Sequence, residues 1–132
     1  MIGDVGGNTV CLDTSVIIDY LKGDKGIVEI IKAYAKEEKL STTAITEYEL
    51  TRHPDMLKRE VAQEFLSAVK IYAFDSAAAA ESSRIYRNLG GQGKKINEND
   101  ILIAGIALSH SELLMTRDKD FSCLKNEKIR YL

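Results

Sequence analysis

Short runs of consecutive apolar residues alternate along this chain with longer stretches in which apolar residues recur every three or four positions. The first run, Thr9–Leu12, is short, β-branched and bounded by Gly6-Gly7, which predicts a strand. SVIIDYLKG then predicts a short helix, with Thr14 or Ser15 as N-cap and Gly23 as its stop. Ile27, Ile30, Ile31 and Tyr34 recur at helical spacing, so a second helix runs to about Lys39. Leu40–Thr42 is a weaker strand and Ala44–Arg52 a short helix. Pro54 suits the first turn of the next helix, whose apolar stripe is Leu57, Val61, Phe65 and Val69. Ile71–Phe74 predicts a strand, after which Asp75 or Ser76 caps an alanine-rich helix ending at Gly90-Gly91. A basic loop, Gly90–Lys95, follows. Residues Glu98–Ser109 are apolar nearly all round, which marks a helix buried on more than one side. Leu113–Thr116 and Ile129–Leu132 close the series as strands.

Alternating strands and helices predict an α/β fold of three layers, α/β/α, around a central parallel sheet of four to five strands. In such sheets all strands end on one edge, and ligands bind there. The 132 residues, 45% hydrophobic and 29% charged, make one domain spanning 1–132 with a proper core. No stretch has the length and apolarity of a bilayer-spanning helix, and MIGDVGGNTV is not a signal peptide, so the expectation is a cytoplasmic chain with no membrane association. Cys11 and Cys123 match no metal-ligand spacing and flank apolar residues, as buried free thiols would.

Within this frame four acids lie at the ends of oily elements. Asp13 follows the first strand and Asp118 follows LLMT, so both should emerge on the ligand-binding edge. Asp100 opens the most apolar helix, and Glu49 lies on the Ile45 face of its short helix, with Glu47 pointing nearly opposite. Each has an ordinary alternative. Asp13 is a good N-cap, although Thr14 and Ser15 would serve equally. Glu49 would close a capping box with Thr46. Asp100 falls near the third helical position if Asn97 is the cap, where the macrodipole favours it. Asp118 suits a turn, and Asp120 competes with it. If the fold gathers the four, their repulsion calls for a hard divalent cation with oxygen ligands, Mg²⁺ or Mn²⁺. That cation points to phosphoryl chemistry. Thr116 is placed to hydrogen-bond one of these carboxylates or a bound water.

In order, LDTSVIIDYL, TEYEL, NDILIAGIALSH and LLMTRDKDF resemble the signature blocks of PIN-domain ribonucleases, and within them the VapC toxins of prokaryotic toxin–antitoxin pairs. The resemblance runs from Cys11 to Leu132. It places the family's four acids, as metal ligands and catalytic residues, on Asp13, Glu49, Asp100 and Asp118. It places the hydroxyls near the metal on Thr14 or Ser15 and on Thr116. It implies a PIN-like fold, metal-dependent hydrolysis of RNA with the ribose 3′ oxygen leaving, a homodimer, and a small antitoxin partner. An additional MIGDVGGN and the segment TRH, without the Gly often found there, depart from the pattern away from the acids.

Arg52, Arg117, Lys119, Lys94 and Lys95 are the basic residues nearest the acids, and they are the expected grip on RNA. A net charge of −2 leaves little other electrostatic attraction for a polyanion. The Leu21, Ile27 and Ile31 region and the helix bearing Leu57, Val61 and Phe65 are expected protein-contact surfaces. Other chemistries fit less well. A haloacid-dehalogenase-type phosphatase wants an Asp where Ser15 stands. A receiver domain wants a Lys after LLMT and an early acid pair. GGQGKK has neither the spacing nor the Ser/Thr of a P-loop. Two readings stay close to the first: a housekeeping RNA-processing nuclease without an antitoxin, and a catalytically silent PIN-like binding module.

Overall fold

A computed structural model describes residues 9–90 and 96–132. The N-terminal MIGDVGGN and the loop lysines Lys94 and Lys95 lie outside the described residues. The elements are β1 (Val10–Leu12), α1 (Thr14–Leu21), α2 (Lys25–Ala35), β2 (Leu40–Thr43), α3 (Ala44–Thr51), α4 (Met56–Leu66), β3 (Lys70–Tyr72), α5 (Ser76–Leu89), α6 (Glu98–Ser109), β4 (Leu113–Thr116), a 3-10 segment (Lys119–Leu124) and β5 (Ile129–Tyr131).

The five strands form one parallel sheet in the order β3-β2-β1-β4-β5. Val10 lies opposite both Leu40 and Leu113, and Leu12 opposite Met115. The strand order therefore changes direction between β1 and β4, which is where an open α/β sheet binds its ligand.

Strand periodicity assigns the two cores. Val10, Leu12 and Met115 face one side and pack with Val16 and Ile17 of α1, Ile27 and Ile31 of α2, and Ala62 and Leu66 of α4. Cys11 and Leu114 face the other side and pack with Ile85 and Leu89 of α5 and Ile101, Ala104 and Ala107 of α6. Helix α6 is buried at Asp100, Ile101 and every position from Ile103 to Ala107, as its uninterrupted apolar run predicts. It approaches α5 closely at Gly105. A Cβ built there would stand 1.9 Å from Ser82 Oγ and 3.0 Å from the Ala78 carbonyl oxygen, so only glycine fits.

Several boundaries differ from the expectation. Helix α2 ends at Ala35 rather than near Lys39, and Glu38 takes a positive φ of 55° in the turn that follows. Pro54 lies before α4 rather than in its first turn, because Asp55 caps that helix by accepting from the Lys58 amide. The third strand is Lys70–Tyr72, one residue earlier at its start and two at its end, set by its register against Ser41–Thr43. Asp75 and Asn97 cap α5 and α6. Cys11 is buried as expected, whereas Cys123 is only half-buried. Among the described residues no helix is long and apolar enough to cross a membrane.

Candidate active site

β1 and β4 run side by side and end together, which fixes the first half of the site. Asp13 follows β1 directly and is 3% exposed. Its Oδ1 accepts from the Val16 amide at 3.0 Å and from Ser15 Oγ at 2.7 Å, and its Oδ2 accepts from Thr116 Oγ1 at 2.5 Å. Asp13, not Thr14 or Ser15, is therefore the N-cap of α1. The expectation that those hydroxyls would free it from capping is corrected: one oxygen caps, and the other faces β4. Burial pushes the Asp13 carboxyl above its usual range, the bonds from Thr116, Ser15 and Val16 oppose this, and the charge of Asp118 reinforces it.

The turn after β4 is tied to the same point. Thr116 Oγ1 accepts from the Asp118 amide at 2.9 Å, and Ser15 Oγ accepts from the Arg117 amide at 3.0 Å. Asp118 is half-buried and caps the 3-10 segment through the Asp120 amide at 2.9 Å. Phe121 is buried and fills the core behind it. Arg117 serves the site through its backbone. Its guanidinium turns toward Asp19 at 3.6 Å and Asp24 at 3.7 Å, away from the role of a free cation at the rim. Arg52 extends over the ring of Tyr48, 5.1 Å from its centroid.

The second half comes from α3 and α6. Thr43, not Thr46, caps α3, so Glu49 closes no capping box. Both of its oxygens reach other elements instead: Oε1 accepts from Thr14 Oγ1 at 2.5 Å and Oε2 from Asn99 Nδ2 at 2.9 Å. Asp100 is 8% exposed, and its Oδ2 is buried with no hydrogen-bond partner. Burial raises its pKa, and the charges of Asp118, Asp13, Glu49 and Asp120 add to this, bringing it up to about 7. All four acids named from the sequence thus meet at one end of the sheet, with Asp100 feeling the other three.

Among the described residues, no three His, Cys, Asp or Glu side chains form a ready-made cage for a metal. Three of the acids, Asp13, Glu49 and Asp118, are held by neutral hydroxyls and amides. A carboxylate offers about four lone-pair positions. Asp13 Oδ1 uses two, while Asp13 Oδ2 and both Glu49 oxygens use one each. Asp100 Oδ2 uses none. An orphaned buried oxygen amid oxygen-only donors fits a hard divalent ion. Asn99 escaped the sequence reading. Its one signal is its place directly before Asp100 in a helix already capped by Asn97.

A groove of about 500 Å³ adjoins Glu49, lined by Ile18, Leu21, Leu50, Leu57, Val61 and Ala62, with His53 nearby. Leu57 is 68% and Val61 50% exposed. Leu57 and Val61 are thus open to contact, while Leu21 lines the groove half-buried against the core. Ile27 and Ile31, also named as contact residues, are buried in the core, and Phe65 packs on Tyr20 at 5.3 Å.

Comparison with known proteins agrees with this architecture. The family pattern described as PIN domain matches residues 10–126. Ribonuclease VapC2 of Haemophilus influenzae is 31% identical over 113 residues, covering 81% of this chain and 84% of the relative. The crystal structure of DNA-bound VapBC from Salmonella typhimurium superposes with a TM-score of 0.82 at 22% identity, covering 94% of this chain and 98% of that one. FitAcB from Neisseria gonorrhoeae gives a TM-score of 0.71 at 26% identity, covering 89% and 94%.

Proposed function

This chain belongs to the PIN-domain family, on its VapC branch, and from that premise we propose that it is a divalent-metal-dependent endoribonuclease and the toxin of a toxin–antitoxin pair. The observation that carries the chemistry is the unpartnered, buried Oδ2 of Asp100 amid three further acids. Asp13, Asp100 and Asp118 would hold Mg²⁺ or Mn²⁺, with Glu49 completing the cluster. Bound there, such an ion neutralises charge on the phosphate and lowers the pKa of water.

The chain's own residues do the rest. Thr116 and Ser15 fix the Asp13 carboxylate, leaving Oδ2 with a spare lone pair. Glu49, tethered by Thr14, orients the attacking water. The water oxygen forms a bond to phosphorus as the bond from phosphorus to the ribose 3′ oxygen breaks, and that oxygen leaves with a proton. Lys119 and Arg52 remain at the rim to meet phosphates. With so few cations the affinity for RNA is modest and falls with salt.

A solved structure of the same fold is described as a toxin–antitoxin complex from Klebsiella pneumoniae, and a small antitoxin is the proposed partner here as well. Its apolar segment would fill the groove of Leu21, Leu57 and Val61 and so reach the neighbourhood of Glu49. The chain works in the cytoplasm as a homodimer. The test is cleavage of a panel of structured RNAs with and without Mn²⁺. Wild-type protein should cleave, EDTA should stop it and Mn²⁺ restore it, and Asp100→Asn should not cleave. Binding without cleavage under every condition would favour a silent PIN-like module. Cleavage without growth arrest on expression would favour a housekeeping nuclease.

A further inference from the structure

We infer that Asn99 is a positioning residue for RNA cleavage, acting through Glu49; this rests on the reading above, in which Glu49 belongs to the reacting centre. Asn99 Nδ2 donates to Glu49 Oε2 at 2.9 Å, bridging α6 and α3 over 50 residues of sequence. On the opposite side Thr14 Oγ1 donates to Glu49 Oε1 at 2.5 Å. One bond would leave the carboxylate free to swing about its last torsion, which is soft. Two donors on two different oxygens fix the plane of the group, and with it the direction of the remaining lone pairs.

Local helix chemistry does not account for an asparagine at this place. The amide of Asp100 is already capped by Asn97 at 2.9 Å, so α6 needs no second cap. Asparagine is a weak helix former, and the first turn of a helix favours Asp or Glu. An acid at position 99 would set a like charge against Glu49. Asparagine supplies a neutral donor of the same size. Its backbone is immobilised because the next residues of α6, Asp100 and Ile101, are buried. Asn99 thus ties the orientation of Glu49 to the helix that also carries Asp100.

A double-mutant cycle on the full chain tests this. Asn99→Ala should lower kcat about 10–100-fold, the range for loss of a partner that orients a metal-site group. KM for RNA should barely change, and the melting temperature should stay within a few degrees. In a Glu49→Ala background the same substitution should cost less than about twofold, since residues that act as a unit are not additive. Asn99→Asp should be worse than Asn99→Ala. The cycle can also be read without RNA, on the Kd for Mn²⁺ measured by calorimetry. Asn99→Ala should weaken Mn²⁺ about tenfold with Glu49 present and leave it unchanged without. Equal losses in both backgrounds on both readouts, or no loss in either, would overturn the assignment. Wild-type protein that shows no metal-dependent cleavage would instead contradict the proposed function.

Discussion

Thr116 Oγ1 donates to Asp13 Oδ2 across the junction of β1 and β4, joining residues 103 apart in sequence. The same hydroxyl oxygen accepts from the Asp118 amide, so one side chain fixes two of the four acids. Thr116→Val keeps the shape and removes both bonds. It should destabilise the metal-free protein by about 2 kcal/mol, the scale for hydrogen bonds to charged groups, and push the Asp13 carboxyl further up. Denaturant unfolding in EDTA measures the first effect.

Asp100 is raised to about 7 in the folded chain, against roughly 4 for an unfolded aspartate. The folded state therefore binds more protons between those values, so this group's contribution to stability is full at low pH and is lost as pH rises through about 7. The ceiling is about 4 kcal/mol from the width of that window. Asp100→Asn should remove this slope. In EDTA the variant should be more stable than wild type at pH 8 and little different at pH 4, by urea unfolding.

Asp13→Asn, by contrast, should gain little metal-free stability although it abolishes cleavage. The asparagine keeps an oxygen to cap α1, but its amide would replace the oxygen that accepts from Thr116. Circular dichroism should show an intact fold, with a melting temperature near that of wild type.

The groove beside Glu49 exposes apolar surface that an antitoxin would cover. Leu57→Glu places a charge there, and leaving it buried and unpaired in a complex costs several kcal/mol. Co-purification with the proposed antitoxin should fall at least about a hundredfold. Growth arrest should persist when the two are co-expressed.

Gly105→Ala would drive a methyl group into Ser82 and the Ala78 backbone. Overpacking of this kind costs about 1–3 kcal/mol. Ser82→Gly should recover part of that loss, as read by thermal unfolding.

The strands, the helices and the edge where Asp13 and Asp118 emerge were legible because period 2 and period 3.6 are written into the apolar positions. Glu49 was separable from Glu47 by helical angle alone. Less legible was anything decided by contacts between elements. That Asp13 both caps α1 and meets Thr116 depends on β1 and β4 ending together. That Arg117 turns to Asp19 and Asp24 depends on where α1 and α2 pack. The role of Asn99 depends on the approach of α3 to α6, and no periodicity encodes that distance. Ile27 and Ile31 looked the same as Leu57 and Val61 in a helical stripe, and only packing made the first pair core and the second pair surface.

The most direct test follows the Asp100 carboxyl carbon by NMR as a function of pH, with and without Mg²⁺. Without the ion its midpoint should lie near 7. With saturating Mg²⁺ it should fall by about 1–3 units or more, because an adjacent cation favours the charged form. A midpoint that saturating Mg²⁺ leaves unmoved would mean that the acids at this edge do not hold the ion.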